Sequence, residues 1–161
     1  MLLFAAMQAG AVAAQTLQER MRAAAGAYEQ KDFAAAVAIW RPLATAGNAE
    51  AQTLLAAMYW SGEGVPRDHA EAAKWYLLAA EKGYARAQND IGFMYGFGEG
   101  QPPRDDVQAY KWLSLAIQRY TAKNQDRLDQ AIKDRATLVA RMTPAQIADA
   151  ERLVRQWKPT P

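Results

Sequence analysis

The chain has 161 residues, 51% of them hydrophobic and 22% charged, with a net charge of +2. Those proportions suit one folded unit or a short repeat array, and interleaved charges of both signs provide no field aimed at nucleic acid or anionic lipid. The absence of cysteine removes disulfides, thiolate zinc sites and cysteine nucleophiles from consideration.

Residues 1–14 carry no charge, are mostly apolar and end in Val12, Ala13 and Ala14 before Gln15. This resembles the back half of a secretory signal peptide, without the basic residue that normally precedes the apolar run, so an upstream start codon is one expectation. The competing expectation is an apolar first helix docked on the array. The segment is too short to span a bilayer and no cysteine follows it for lipid attachment, so no integral membrane span is expected.

Residues 15–48 read as a helical hairpin. Leu17, Met21, Ala24 or Ala25, and Tyr28 fall three and four apart on one stripe. Lys31 and Asp32 interrupt the run, and Phe33, Ala36, Trp40 and Leu43 form a second stripe that closes at Gly47, a residue suited to a left-handed helix end.

A unit of about 36 residues is then written twice, over 49–84 and 85–120. Ala51-Gln52, Met58-Tyr59 and Gly62-Glu63-Gly64 return as Ala87-Gln88, Met94-Tyr95 and Gly98-Glu99-Gly100. Past the glycines the copies slip by one residue, since Ala72, Lys74-Trp75 and Leu78-Ala79 answer to Ala109, Lys111-Trp112 and Leu115-Ala116. The slip belongs in a loop, because inside a helix it would turn every later side chain by about 100°.

Each unit is expected to hold two helices, the second opened by Asp68 with Glu71, or Asp105 with Gln108, as capping boxes. The glycine pairs, Gly62 with Gly64 and Gly98 with Gly100, fit tight loops that call for positive φ. Ala56, Gly92, Ala79 and Ala116 supply close approach, with the bulk of Trp75 and Trp112 opposite.

Residues 121–158 keep helical spacing without repeat identity. Leu128, Ile132, Val139 and Met142 form one stripe, and Thr143-Pro144 with Gln146 starts a last helix whose face holds Ile147, Ala150, Val154 and Trp157. The pair reads as a C-terminal cap over the open end of the core, and 159–161 as a tail.

The pattern Ala-x-Ala-Gln, an apolar-small step, Tyr59 or Tyr95, Gly-x-Gly, Asp, Ala, Lys-Trp and Ala-x-x-Gly resembles the Sel-one-like repeat (SLR), a relative of the tetratricopeptide repeat. The resemblance covers the middle two-thirds of the chain, and the 15–48 hairpin is similar to a tetratricopeptide unit lacking the glycine loop. It implies an all-α, right-handed α–α superhelix of about eight helices. It also implies adaptor work rather than catalysis. The closing Met142–Lys158 segment is similar to exported bacterial members, which implies a periplasmic or secreted protein; a cytoplasmic scaffold is the alternative if residues 1–14 are retained. Cysteine-rich members are linked to penicillin or cell-wall peptide binding; this chain has no cysteine, so cell-wall (peptidoglycan-fragment or β-lactam) binding or hydrolysis is kept only as the alternative function.

Placing Leu55-Ala56-x-x-Tyr59 and Ile91-Gly92-x-x-Tyr95 on the packing stripe directs Glu50, Thr53, Ala57 and Trp60, then Arg86, Asn89, Phe93 and Phe97, to the concave side. Trp60, Phe93 and Phe97 form an aromatic strip edged by Glu50, Arg86 and Asn89, suited to a protein or peptide partner. The competing expectation buries the same rings between units.

No chemistry is legible elsewhere. His69 is the single histidine and has no second ligand at helical spacing, and Ser61 and Ser114 lack a base in any nucleophile motif. Gly96–Gly100 lacks the lysine and hydroxyl of a phosphate loop. Glu63 and Glu99 sit on loops too mobile for paired-carboxylate catalysis. Arg119, Lys123, Arg127, Lys133 and Arg135 alternate with Asp126, Asp129 and Asp134, which reads as a solvated face with an Asp129–Lys133 pair. No catalytic residue, cofactor or metal is expected.

Overall fold

The computed structural model describes residues 16–98 and 102–161. The leader expectation for 1–14, together with Glu99 and Gly100, lies outside them. Among the described residues eight helices follow in order: α1 (Leu17–Glu29), α2 (Phe33–Thr45), α3 (Ala49–Ser61), α4 (His69–Glu81), α5 (Ala85–Phe97), α6 (Asp106–Arg119), α7 (Gln125–Val139) and α8 (Pro144–Gln156), with a 3₁₀ turn at Ala122–Asn124. No strand occurs among the described residues. Helices α1/α2, α3/α4 and α5/α6 pair as hairpins, and α2 against α3 and α4 against α5 stack one hairpin on the next, which builds the right-handed superhelix.

The repeat has a physical basis in two buried glutamines. Gln52 Nε2 donates to the Ala44 carbonyl at 3.0 Å and Gln88 Nε2 to the Ala80 carbonyl at 3.0 Å. Each closes an orphan carbonyl near the end of the preceding helix from inside the core, where an unmet acceptor would cost about 1–3 kcal/mol. These bonds put α2 in the same register as α4, so the first hairpin joins the array although it lacks the glycine loop. Gly47 and Gly83 follow α2 and α4 at φ 93° and 85°.

The one-residue slip does fall in the loop. The backbone N–H of Asp68 donates to the Tyr59 carbonyl and that of Asp105 to the equivalent Tyr95 carbonyl, each at 2.9 Å, so both loops are pinned alike despite unequal length. Gly62 and Gly64 take positive φ (78° and 68°), as expected. Gly98 does not: its φ is −70°, and what excludes a side chain there is the Met94 carbonyl, which a Cβ would strike.

Asp32, Asp68, Asp105 and Asn48 cap their helices by accepting a backbone N–H. The boxes expected at Asp68 and Asp105 are half made, with the forward bond only. Glu71 turns instead to Lys74 Nζ at 2.9 Å. Thr143 with Gln146 forms the complete box, and so do Thr16 and Glu19, a pair that hydrophobic spacing does not reveal.

The C-terminal helices differ from a simple capping hairpin. Both α7 and α8 lie against α6 and scarcely touch each other. Helix α7 buries Ala131 and Leu138 and leaves Ile132 and Val139 exposed, a turn of one residue from the expected stripe, while Met142, just past its end, is buried as expected. The end of the chain is also docked rather than loose. Trp157 Nε1 donates to Glu81 Oε2 at 3.1 Å, Thr160 N–H donates to the Glu81 carbonyl at 2.8 Å, and Arg119 lies 4.4 Å from the Trp157 ring.

Arg141 ties α7 to the last repeat. Its guanidinium meets both carboxylate oxygens of Asp106 at 3.0 and 2.7 Å, donates to the Gly96 carbonyl at 2.6 Å and covers Phe97 at 5.1 Å. With Arg104 also bonded to it, Asp106 is pulled down from 3.8 to about 2, the Arg141 hydrogen bond being the largest cause. A carboxylate with a depressed folded value stabilises fully above its unfolded value and loses that stabilisation as pH falls towards the folded one. Asp106→Asn should therefore be less stable than the parent above about pH 5, with the gap closing towards about pH 2, as urea melts across that range would record.

Candidate docking groove

The odd-numbered helices form one side of the array, the side that sequence reasoning called concave. Two cavities open along it. The first, about 490 Å³, is bounded by Tyr28 and Glu29 of α1, Trp40 of α2, and Glu50, Met58 and Trp60 of α3. The second, about 380 Å³, lies between α5 and α7, with Asn89, Asp90 and Phe93 on one wall and Arg127, Gln130 and Asp134 on the other. Trp60 and Arg86 line both, so the two hollows are neighbours. The second exists because α7 packs on α6 and makes little contact with α5, leaving the space between them unfilled.

Four expected residues, Trp60, Arg86, Asn89 and Phe93, meet in the second cavity, and Glu50 lines the first with Trp60 and Arg86. Trp60 is half-buried and stacked on His69, ring centroids 4.3 Å apart, which gives the single histidine a packing role. Phe93 is 39% exposed and stacks on Phe97 at 5.4 Å. Phe97 itself lines neither cavity; it contacts Phe93 and Arg141.

Thr53 is not available. It is fully buried and its hydroxyl donates to the Ala49 carbonyl at 2.8 Å, because a position one turn before Ala56 shares that residue's packing stripe. Among the structural positions, Trp112 and Gly92 are buried, whereas Tyr59, Tyr95 and Trp75 are half-buried. Gly92 is needed for close approach: a Cβ there would come within 3.0 Å of the Leu113 backbone nitrogen.

The polar wall of the second cavity was hidden from sequence reasoning. Asp90 is pushed up by burial, opposed by Arg86 at 3.7 Å and Arg127 at 3.9 Å. Burial likewise raises the Tyr120 hydroxyl to about 12, with Asp90 adding to it. Several buried polar atoms in this region have no hydrogen-bond partner, among them Asn89 Oδ1 and the Tyr120 hydroxyl, and Arg86 Nε has only the Asp90 carboxylate at 3.7 Å. Unmet buried groups of this kind are costly unless something binds them. The expected Asp129–Lys133 pair is replaced by Gln125 donating to Asp129, and Gln130 donates to Asp134, both at 2.8 Å.

Among the described residues, no cluster of His, Asp and Glu is arranged to hold a metal ion, and no helix is long and apolar enough to cross a membrane. Stacked hairpins with an aromatic-walled groove define a helical-repeat solenoid of the interaction type. The model of the Sel1 repeat matches residues 49–84 and 85–119, so the middle of the chain carries two Sel1 repeats.

Two curated relatives, both from Arabidopsis thaliana, carry similar segments. The ERAD-associated E3 ubiquitin-protein ligase component HRD3B is 33% identical over 84 residues, covering 52% of this chain and 14% of its own. The corresponding component HRD3A is 37% identical over 64 residues, covering 40% of this chain and 9% of its own. The chain thus spans a small part of either relative. Among solved structures, the protective antigen c5321 of uropathogenic Escherichia coli strains, which displays an SLR fold, superposes with a TM-score of 0.76 at 28% identity over 89% of this chain and 30% of its own. A Sel1 repeat protein from Oxalobacter formigenes shares the fold at a TM-score of 0.59, 24% identity, 85% coverage of this chain and 60% of its own.

Proposed function

We propose that the chain is a non-enzymatic docking module that holds a protein or peptide partner in the odd-helix groove. The observation that carries this reading is a pair of neighbouring cavities that share Trp60 and Arg86, walled by aromatic rings and edged by polar atoms without hydrogen-bond partners. The relatives' description as components of a ligase assembly agrees with adaptor work. The proposed setting is the bacterial periplasm or exterior, supported by the leader-like pattern of residues 1–14; the mass of the mature protein from a cell fraction tests it.

Replacing Trp60 and Phe93 together with alanine should lower partner capture at least tenfold, a loss of about 1.4 kcal/mol or more, while helical circular dichroism stays intact. Unchanged capture by the folded double variant would refute the groove. Saturable binding or turnover of cell-wall fragments or a β-lactam by the purified protein would favour the alternative.

A further inference from the structure

The first cavity has a chemistry of its own. Tyr28, Trp40 and Trp60 supply aromatic walls, while Glu29, Glu50 and Glu63 place three carboxylates around them. Arg86 is the single basic residue of the lining, and it is engaged with Asp90 at 3.7 Å. Among the described residues none of the three glutamates makes an ion pair within 4 Å. Glu63 is oriented by neutral donors only, accepting from Ser61 Oγ at 3.0 Å and the Tyr28 hydroxyl at 3.4 Å.

Trp40 is only 3% exposed, lines this cavity, and its indole N–H has no acceptor. The indole N–H is enclosed, so what Trp40 offers to the cavity is the apolar surface of its ring.

We infer that this cavity takes the side chain of a lysine or arginine from an extended peptide lying along the groove. Aromatic faces attract a cation, carboxylates at the rim neutralise it, and the apolar walls of Leu54 and Met58 suit the long methylene stem. A peptide fits better than a free ammonium ion because a second cavity adjoins the first at Trp60 and Arg86, so a chain anchored in one meets the other. This inference rests on the docking reading and specifies its partner.

The test uses random-sequence peptides displayed on phage, selected against the full chain, followed by fluorescence titration of the best synthetic peptide. The enriched sequences should share a lysine or arginine, and exchanging that residue for norleucine should weaken binding tenfold or more. The Glu50→Gln/Glu63→Gln variant keeps the shape and removes charge from exposed and half-buried positions; it should weaken the cationic peptide to a similar degree and leave the norleucine peptide unchanged. Enriched peptides that lack a cation, or a norleucine peptide that binds as well as the parent, would overturn the inference while the docking reading survives, provided Trp60→Ala/Phe93→Ala abolishes their capture. If no peptide enriches, both fail.

Discussion

Trp112→Ala should lower the free energy of unfolding by about 3–5 kcal/mol, the range for deleting a large buried aromatic. Trp112 is 1% exposed and sits in the central cluster formed by α3 to α6, with Ile91, Met94 and Leu115. Trp157 meets it edge-on at 6.4 Å, and Lys111 Nζ lies 3.9 Å above its ring. Removing the indole opens a cavity and loosens the docked C-terminal segment, so two contacts fail together. Trp75 occupies the matching repeat position but is half-buried, and Trp75→Ala should cost clearly less. Chemical denaturation of the two variants side by side measures the difference. Equal losses would show that the C-terminal helix adds nothing to the burial of the third unit.

Gly64→Ala should destabilise by at least about 2 kcal/mol, whereas Gly26→Ala should stabilise by about 0.5–1 kcal/mol. Gly64 has φ 68°, and a Cβ there would lie 2.5 Å from the Phe33 carbonyl oxygen at the start of α2. The chain thus has a strained conformation and a backbone collision to relieve, and relief would pull the glycine loop off the first hairpin. Gly26 lies inside α1, and a Cβ there meets nothing within 4 Å, so alanine gains helix propensity freely. Thermal melts should move in opposite directions. A neutral Gly64→Ala would mean that the loop does not rest on Phe33 as described.

The repeat was legible because it is written in residues with narrow physical duties. Gln52 and Gln88 close buried carbonyls, Asp68 and Asp105 cap helices, and Gly62 and Gly64 hold left-handed turns. Spacing alone conveys such local duties. It conveys much less about rotation and long-range approach. Ile132 and Val139 keep helical period yet face outward, because how α7 settles on α6 is decided by tertiary fit. Gly98 looks like Gly62 in sequence and differs from it in backbone angle.

The groove divides in the same way. Trp60, Arg86, Asn89 and Phe93 follow from the geometry of two repeats and were nominated from it. Tyr28, Trp40, Asp90 and Arg127 enter only when hairpins far apart in the chain are stacked, and Arg127 read as solvated because its neighbours along α7 are charged. Thr53 was misplaced by a single helical step, from the surface onto the packing stripe.

Indole N–H resonances offer a direct reading of which face binds. The chain has five tryptophans: Trp40 and Trp60 line the groove, while Trp75, Trp112 and Trp157 are placed away from it in the core or under the docked C-terminus. Titrating the ¹⁵N-labelled protein with the strongest peptide from the display selection should shift Trp40 and Trp60 and leave the other three in place. Shifts at Trp112 and Trp157, with Trp60 unmoved, would put the partner on the opposite side of the array and contradict the account.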